Sequence, residues 1–317
     1  MPVIRSVQMI ERPFGRIHAE QFRIAESEAP PLTPGSALLE NVYLLIEADA
    51  RTLSAGESYL HTPAHGGAAI ARVIASRTRA LPVGAMVQHV AAWSTHSVVR
   101  AGQPGVRIID VVAGLPITLH LSVFGPPGMT AWQSVHEALQ LLPGEVLYVA
   151  SAVRLMGSLV GQMAMLTGAG QLLAGVRGEK SACIATDVYG FDDVYDILES
   201  AALGRLAGSL TGQVDAAWVD LDRDHVSVVA NSLRRPRGRI VHVGQGAYAD
   251  TMVRPYRPQP LGVPRETVET YLRPYLRTGE LVVNETYVFG IEQIVGAYLG
   301  VLSEELTGAV IARITDI

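Results

Sequence analysis

The sequence predicts a two-domain α/β protein, with a β-rich domain drawn from both chain ends and an inserted domain of alternating strands and helices. Three observations carry this. The chain has 317 residues, about two domains' worth and enough to bury a sizeable core. Its texture changes near Pro127, from short apolar runs punctuated by Pro and Gly to strand–helix alternation as far as roughly Gly246. Beyond residue 280 strand texture returns.

In the first 120 residues, Ser36 to Ile46, Gly67 to Ala75, Ala85 to Val90 and His96 to Arg100 are rich in β-branched or apolar residues and read as strands. In the middle, Val146–Ala150, Gln171–Val176, Ala216–Val219 and Arg239–Val243 are continuous apolar runs, the pattern of strands covered on both faces of a parallel sheet. Met156–Leu166, Lys180–Val188, Glu199–Leu210 and Val226–Leu233 fit the helices between and after them. The Pro-rich stretch 249–264 reads as loop, Glu266–Thr278 as helix and Leu281–Val288 as strand.

Composition narrows the function classes. With 49% hydrophobic and 17% charged residues the chain is no disordered tail. A net charge of −5 gives no electrostatic grip on nucleic acid. The single cysteine, Cys183, excludes an intramolecular disulfide framework and a thiolate-rich zinc site. The apolar stretch 146–176 is broken by Arg154 and by the glycines at 157, 161, 168 and 170, and the N-terminus reaches Glu11 and Arg12 before any run of signal-peptide length. A soluble, cytoplasmic protein acting on a small molecule, with no nucleic-acid or membrane partner, is therefore expected.

A dinucleotide fold needs a tight turn after its first strand, where the backbone approaches the pyrophosphate and the next helix offers its N-terminus. Here Val146–Ala150 is followed by Ser151-Ala-Val-Arg154-Leu-Met-Gly157-Ser158. Gly157 can serve close helix–strand packing, but Arg154 holds the middle glycine position. By itself this turn suits either a nucleotide site or a parallel unit that binds nothing. The second strand ends Gly175-Val176-Arg177-Gly178-Glu179-Lys180, with arginine where an NAD protein carries the ribose-binding acid. Twenty-four of the 25 basic residues are arginine, and the one lysine lies here. Two cations at a helix start oppose its dipole but suit a 2′-phosphate, which favours NADP over NAD.

Several stretches resemble one family in order and spacing. Phe124-Gly-Pro-Pro-Gly-Met-Thr-Ala-Trp132 is similar to the Gly-x-Pro-Gly-Leu/Met-Thr-Ala-Tyr block of zinc-independent medium-chain dehydrogenase/reductases, closest to the prostaglandin reductase and alkenal/enone reductase (quinone oxidoreductase-like) branch. Asn41-Val-Tyr-Leu, Glu47 to Arg51, Gly157 to Ala164, Gly175 to Lys180, Gly190-Phe-Asp192, Gly238-Arg-Ile240 with Gly244, and Gly290-x-Glu292 follow the same pattern. The resemblance implies a GroES-like β domain (1–120 and 280–317) and a Rossmann-type doubly wound parallel-sheet domain (121–279). It also implies a homodimer and NADPH-dependent, metal-free reduction of the C=C bond of an α,β-unsaturated carbonyl compound. Carried over residue by residue, the cofactor site comprises Thr130, Arg154, Gly157, Arg177, Gly178, Lys180 and Gly244. Lys180 matches the family's 2′-phosphate lysine. Tyr248, with Tyr59 and His61 on an abbreviated substrate loop, are the candidate catalytic groups.

Departures fall at functional positions: Arg154 for glycine, Val219-Asp220 for Asp-Asn after the fourth strand, and Gly308-Ala309 for Gly-Lys. Arg154 can obstruct the pyrophosphate or neutralise it, and the sequence leaves both open. The first predicts a non-redox member of the fold (a cyclase, isomerase or dehydratase) or a binding protein. No zinc motif is present: His61 and His65 are separated by Pro63, so no metal site is expected.

Overall fold

A computed structural model of the chain describes residues 2–13, 17–47, 60–197, 204, 208, 210–221, 223–243, 253–255 and 262–315. In chain order it runs β1 (Val3–Met9), β2 (Phe22–Glu28), β3 (Ser36–Ile46), β4 (His65–Ser76), β5 (Met86–Ala92), β6 (His96–Arg100) and β7 (Arg107–Ile108). Then come α1 (Pro126–Gln133), β8 (Val146–Val149), α2 (Leu155–Leu166), β9 (Gln171–Val176), α3 (Gly178–Cys183) and β10 (Asp193–Asp196). After these follow β11 (Ala216–Val219), α4 (Arg223–Ser232), β12 (Arg239–His242), β13 (Val253–Pro255) and α5 (Arg265–Thr278). The chain closes with β14 (Glu285–Phe289), α6 (Ile294–Leu302) and β15 (Ala309–Arg313). Contacts divide it into Met1–Gly125 with Asn284–Ile317, and Pro126–Val283.

The first unit is GroES-like. Its larger sheet has the order β14-β15-β3-β4-β5-β7, with β6 also paired to β3, beside a β1–β2 hairpin. The long β3 pairs with β15 at one end and β6 at the other, so the two ends of the chain share one sheet. Its core closes around Trp93, Phe22 and Tyr298, the Trp93 and Tyr298 rings meeting edge-on at 5.0 Å. Asn41, in the middle of β3, is fully buried. Its Nδ2 donates to Ser94 O (2.8 Å) and Ser97 Oγ (3.1 Å), so Oδ1 must accept from His89 Nε2 (2.9 Å). The residue that begins the Asn-Val-Tyr-Leu stretch thus ties three strands together.

The second unit is Rossmann-type: six parallel strands in the order β10-β9-β8-β11-β12-β13. The two central strands are apolar because both faces are covered, as Tyr148, Trp218 and Val219 are fully buried. Three features depart from the sequence expectation. Val253–Pro255, inside the Pro-rich stretch expected as loop, pairs with β12; proline is tolerated because the strand lies at the sheet edge. The helix expected over Lys180–Val188 starts at Gly178 and widens to a π-type turn over Ile184–Val188, where Thr186 Oγ1 bonds back to Ala182 and Cys183 carbonyls. The strand expected from Leu281 begins only at Glu285. The helix expected over Glu199–Leu210 lies largely outside the described residues.

The buried His89 gives the first unit a pH dependence. Burial depresses its pKa from 6.5 to about 4, the Val90 backbone offsetting only part of this. A histidine held neutral in the fold but free to protonate when unfolded stabilises fully above pH 6.5, and that stability drains away as pH falls toward 4. The full swing corresponds to about 3 kcal/mol. Denaturant unfolding between pH 7 and 4 should therefore lose stability in the wild type. His89→Gln, which can still donate to Asn41, should flatten that slope; an unchanged slope contradicts the assignment.

Candidate functional site

From β8 the sheet grows outward through β9 and β10 on one side and through β11, β12 and β13 on the other. The chain therefore reverses its winding between β8 and β11, and ligands of open α/β sheets bind outside the strand carboxyl ends at such a reversal. The segment after β8 is stitched to both neighbours: Ala150 N donates to Trp218 O of β11 (2.9 Å), and Ala152 N to Gly175 O of β9 (3.1 Å).

This segment turns without the usual glycines. Ser151 is fully buried with φ +51°, a left-handed conformation that costs a non-glycine residue about 1–2 kcal/mol. Arg154 N closes the turn onto Ser151 O (3.0 Å), and Arg154 becomes the N-cap of α2 with extended φ −74° and ψ 159°. Its side chain makes no cap bond, so the first-turn N–H groups of a 12-residue helix keep their orphan character. Gly157 makes the close approach possible: a Cβ there would collide with Ser151 O and lie 2.9 Å from Ser151 C and 3.0 Å from Ala152 Cα.

Polar groups gather at the same edge. Asp220 directly follows β11, and its Oδ1 is sealed from solvent. Burial pushes its carboxyl above the usual range; the Arg154 guanidinium is the strongest opposing influence, followed by the Ser151 hydroxyl, with His242 a lesser one. Ser151 Oγ lies beside that carboxylate without closing a well-formed bond, leaving Ser151 Oγ and Asp220 Oδ1 both buried and unsatisfied. His242, ending β12, meets Leu221 O at 2.9 Å through Nε2. Beneath them Tyr148 OH pairs with His225 Nε2 of α4 at 2.9 Å, and burial raises the phenol well above its ordinary range.

On the other side of the reversal, Arg177 follows β9 as the N-cap of α3, Gly178 comes next with φ +74°, and exposed Lys180 lies in the first turn. No carboxylate stands where a ribose-binding acid would follow the strand; Glu179 is two residues further and exposed. Thr130 lies in α1, which packs on α2, and its carbonyl accepts Ser134 Oγ at 2.8 Å. His61 belongs to the first unit, exposed at a left-handed turn (φ +62°) with its N–H donating to Met9 O. Tyr59, Gly244 and Tyr248 lie outside the described residues. The fold thus sets Arg154 and Gly157 in one turn at the sheet's carboxyl edge, and Arg177, Gly178 and Lys180 at the neighbouring one.

Ser151, Asp220 and the Tyr148–His225 pair are absent from the sequence-derived site. Asp220 left a trace, as an acid ending an apolar strand. Among the described residues no three His, Cys, Asp or Glu side chains gather as a metal site, and no helix is long and apolar enough to cross a membrane.

A doubly wound parallel sheet joined to a GroES-like sheet, with an uncapped helix N-terminus and cations at the sheet's carboxyl edge, defines a dehydrogenase/reductase-type architecture. Comparison with known proteins agrees. Residues 5–106 match the family model described as the N-terminal domain of oxidoreductase. The chain is 25% identical over 315 residues to prostaglandin reductase 1 of Bos taurus, covering 92% of this chain and 93% of that protein. It is 29% identical over 194 residues to the NADPH-dependent curcumin reductase of Escherichia coli, covering 59% of this chain and 55% of that one. The crystal structure of CurA from Vibrio vulnificus in complex with NADPH superposes with TM-score 0.84 at 23% identity, over 99% of this chain and all of that one. These likenesses support a place among the zinc-independent medium-chain dehydrogenase/reductases, in their quinone oxidoreductase-like branch.

The tight turn is testable by packing alone. Gly157→Ala drives a methyl into rigid backbone and should cost about 1–3 kcal/mol, lowering the thermal midpoint by several degrees. Gly296→Ala, at an exposed helical position with open space around it, should be neutral or stabilising by about 0.5–1 kcal/mol. Equal midpoints for the two variants would contradict the close approach.

Proposed function

We propose that the protein is an NADPH-dependent reductase of the C=C bond of α,β-unsaturated ketones or aldehydes, working in the cytoplasm as a homodimer. One observation carries the choice of cofactor: Arg177 follows β9 at a helix N-cap with Lys180 one turn on, and no acid stands at that strand end to hold a ribose 2′-hydroxyl, Glu179 lying two residues further and exposed. A dianionic phosphate offsets the charge that two cations place against the helix dipole. The family likeness and the NADPH named for the Escherichia coli and Vibrio vulnificus proteins support the same reading.

The remaining residues fit the group. The uncapped first turn of α2 offers backbone N–H donors to a pyrophosphate, Gly157 lets that turn sit close beneath it, and Arg154 supplies a positive charge in place of the missing glycine. When bound, NADPH supplies hydride to the substrate's β-carbon. The chain's own part is then to hold the enone carbonyl and donate a hydrogen bond to the oxygen that gains charge. Tyr248 is the proposed donor, with Tyr59 and His61 as further candidates. Arg154 also favours a second reading, in which it blocks the pyrophosphate and the fold serves non-redox chemistry.

Titration separates the two. The wild type should bind NADPH saturably and consume it only when an enone is present. Lys180→Ala should lose one charge-assisted phosphate contact, about 1.5–3 kcal/mol or roughly ten- to over a hundredfold in NADPH affinity, with NADH nearly unchanged. Equal loss for both cofactors would make Lys180 structural. A wild type that binds no NADPH, with binding restored by Arg154→Gly, would establish the non-redox reading instead.

A further inference from the structure

Asp220 is a charged group at the reversal that the proposed chemistry does not use. It is also ill-suited to a site that receives a pyrophosphate. Its carboxylate follows β11, the strand hydrogen-bonded to β8, and its Oδ1 is sealed from water without a hydrogen-bond partner. Ser151 Oγ, fully buried beside it, is unsatisfied too. The strongest favourable charge acting on the carboxylate comes from Arg154, the residue that also caps the anion-facing end of α2. One guanidinium therefore faces two anionic claims.

We propose that Arg154 and Asp220 form a counter-ion exchange: the guanidinium neutralises Asp220 in the free protein, turns to the pyrophosphate when a dinucleotide binds, and leaves the buried carboxylate to take one proton from solvent. A buried carboxylate deprived of its cation is strongly disfavoured, and protonation removes the charge. The protonated acid gains an O–H donor, and Ser151 Oγ is the unsatisfied acceptor beside it. The other groups facing this carboxylate are poor substitutes for Arg154. His242 contributes less than either Arg154 or Ser151 and its Nε2 is engaged with Leu221 O. Tyr148 is bound to His225, and the nearby Tyr195 of β10 adds no positive charge. Burial already holds Asp220 above the ordinary carboxylate range.

The inference rests on the dinucleotide reading and adds a proton to it. Binding that takes up a proton weakens as pH rises, by about tenfold per pH unit between the free and bound pKa values of Asp220. The 2′-phosphate of NADPH itself titrates near pH 6, so ADP-ribose, which has the pyrophosphate and lacks that group, is the cleaner probe.

The experiment is isothermal titration of the whole protein with NADPH and with ADP-ribose, from pH 5.5 to 9, in buffers of different ionisation enthalpy. In the wild type, proton uptake should rise toward one per ligand within a window of this range, for both ligands. Asp220→Asn should abolish it for ADP-ribose and bind that ligand with an affinity flat in pH, leaving with NADPH only the titration of the 2′-phosphate. Arg154→Gly should abolish it as well, because its Asp220 is already protonated before ligand arrives. His242→Gln should keep it. Circular dichroism melts of each variant report folding, and the two independent variants keep the test usable if one is unstable. Equal proton uptake in the wild type and Asp220→Asn, with NADPH bound by both, overturns the exchange and leaves the reductase reading standing. A folded wild type that binds neither ligand overturns both.

Discussion

The contact between Gly157 and the Ser151 backbone is the constraint on which the carboxyl edge of the parallel sheet depends. With no side chain at 157, α2 lies against the segment leaving β8, and its first turn is brought to the place where the sheet reverses its winding. The adjoining residues meet the cost of that closeness. Ser151 adopts a left-handed backbone without being glycine, and Ala150 and Ala152 are pinned to β11 and β9 by single backbone bonds. A longer side chain at 157 would push the helix off the turn and dissolve the geometry that aims its N–H groups outward.

Around that turn the protein keeps charge and polarity that a purely structural core would exclude. Buried polar atoms are nearly always hydrogen-bonded, and exceptions in native folds concentrate where function demands them. Ser151 Oγ and Asp220 Oδ1 are such exceptions, set beside a half-buried arginine. The first unit has such atoms too, His89 Nδ1, Trp93 Nε1 and Ser122 Oγ among them. Asn41 satisfies both ends of its amide with Ser94, Ser97 and His89, and that cluster serves only to hold strands together.

Much of the fold was legible in the sequence because burial on both faces leaves an unbroken apolar run. Gln171–Val176 and Ala216–Val219 have the bounds their apolar residues suggest, and Val146–Val149 and Arg239–His242 each differ by one residue. Edge strands were harder. Asp193–Asp196 is flanked by acids because only one edge of it is paired, and Val253–Pro255 is hidden among prolines that an edge position tolerates. For the candidate site, the places of Arg154, Gly157, Arg177 and Lys180 in the fold could be read because turn and strand-end positions are fixed by local chain direction. Asp220 comes under the influence of Arg154 through the pairing of β8 with β11, and Tyr148 meets His225 across 77 positions of sequence. No local pattern encodes either meeting.

The proposed reductase chemistry depends on one place, the turn 151–157, proposed as a pyrophosphate seat built around an arginine. A crystal structure of the protein with NADPH tests this most directly. The pyrophosphate should lie against the first turn of α2 within hydrogen-bond reach of Arg154, with the 2′-phosphate held by Arg177 and Lys180. A cofactor bound elsewhere, or an Arg154 side chain filling the seat while NADPH stays out at saturating concentration, would contradict it.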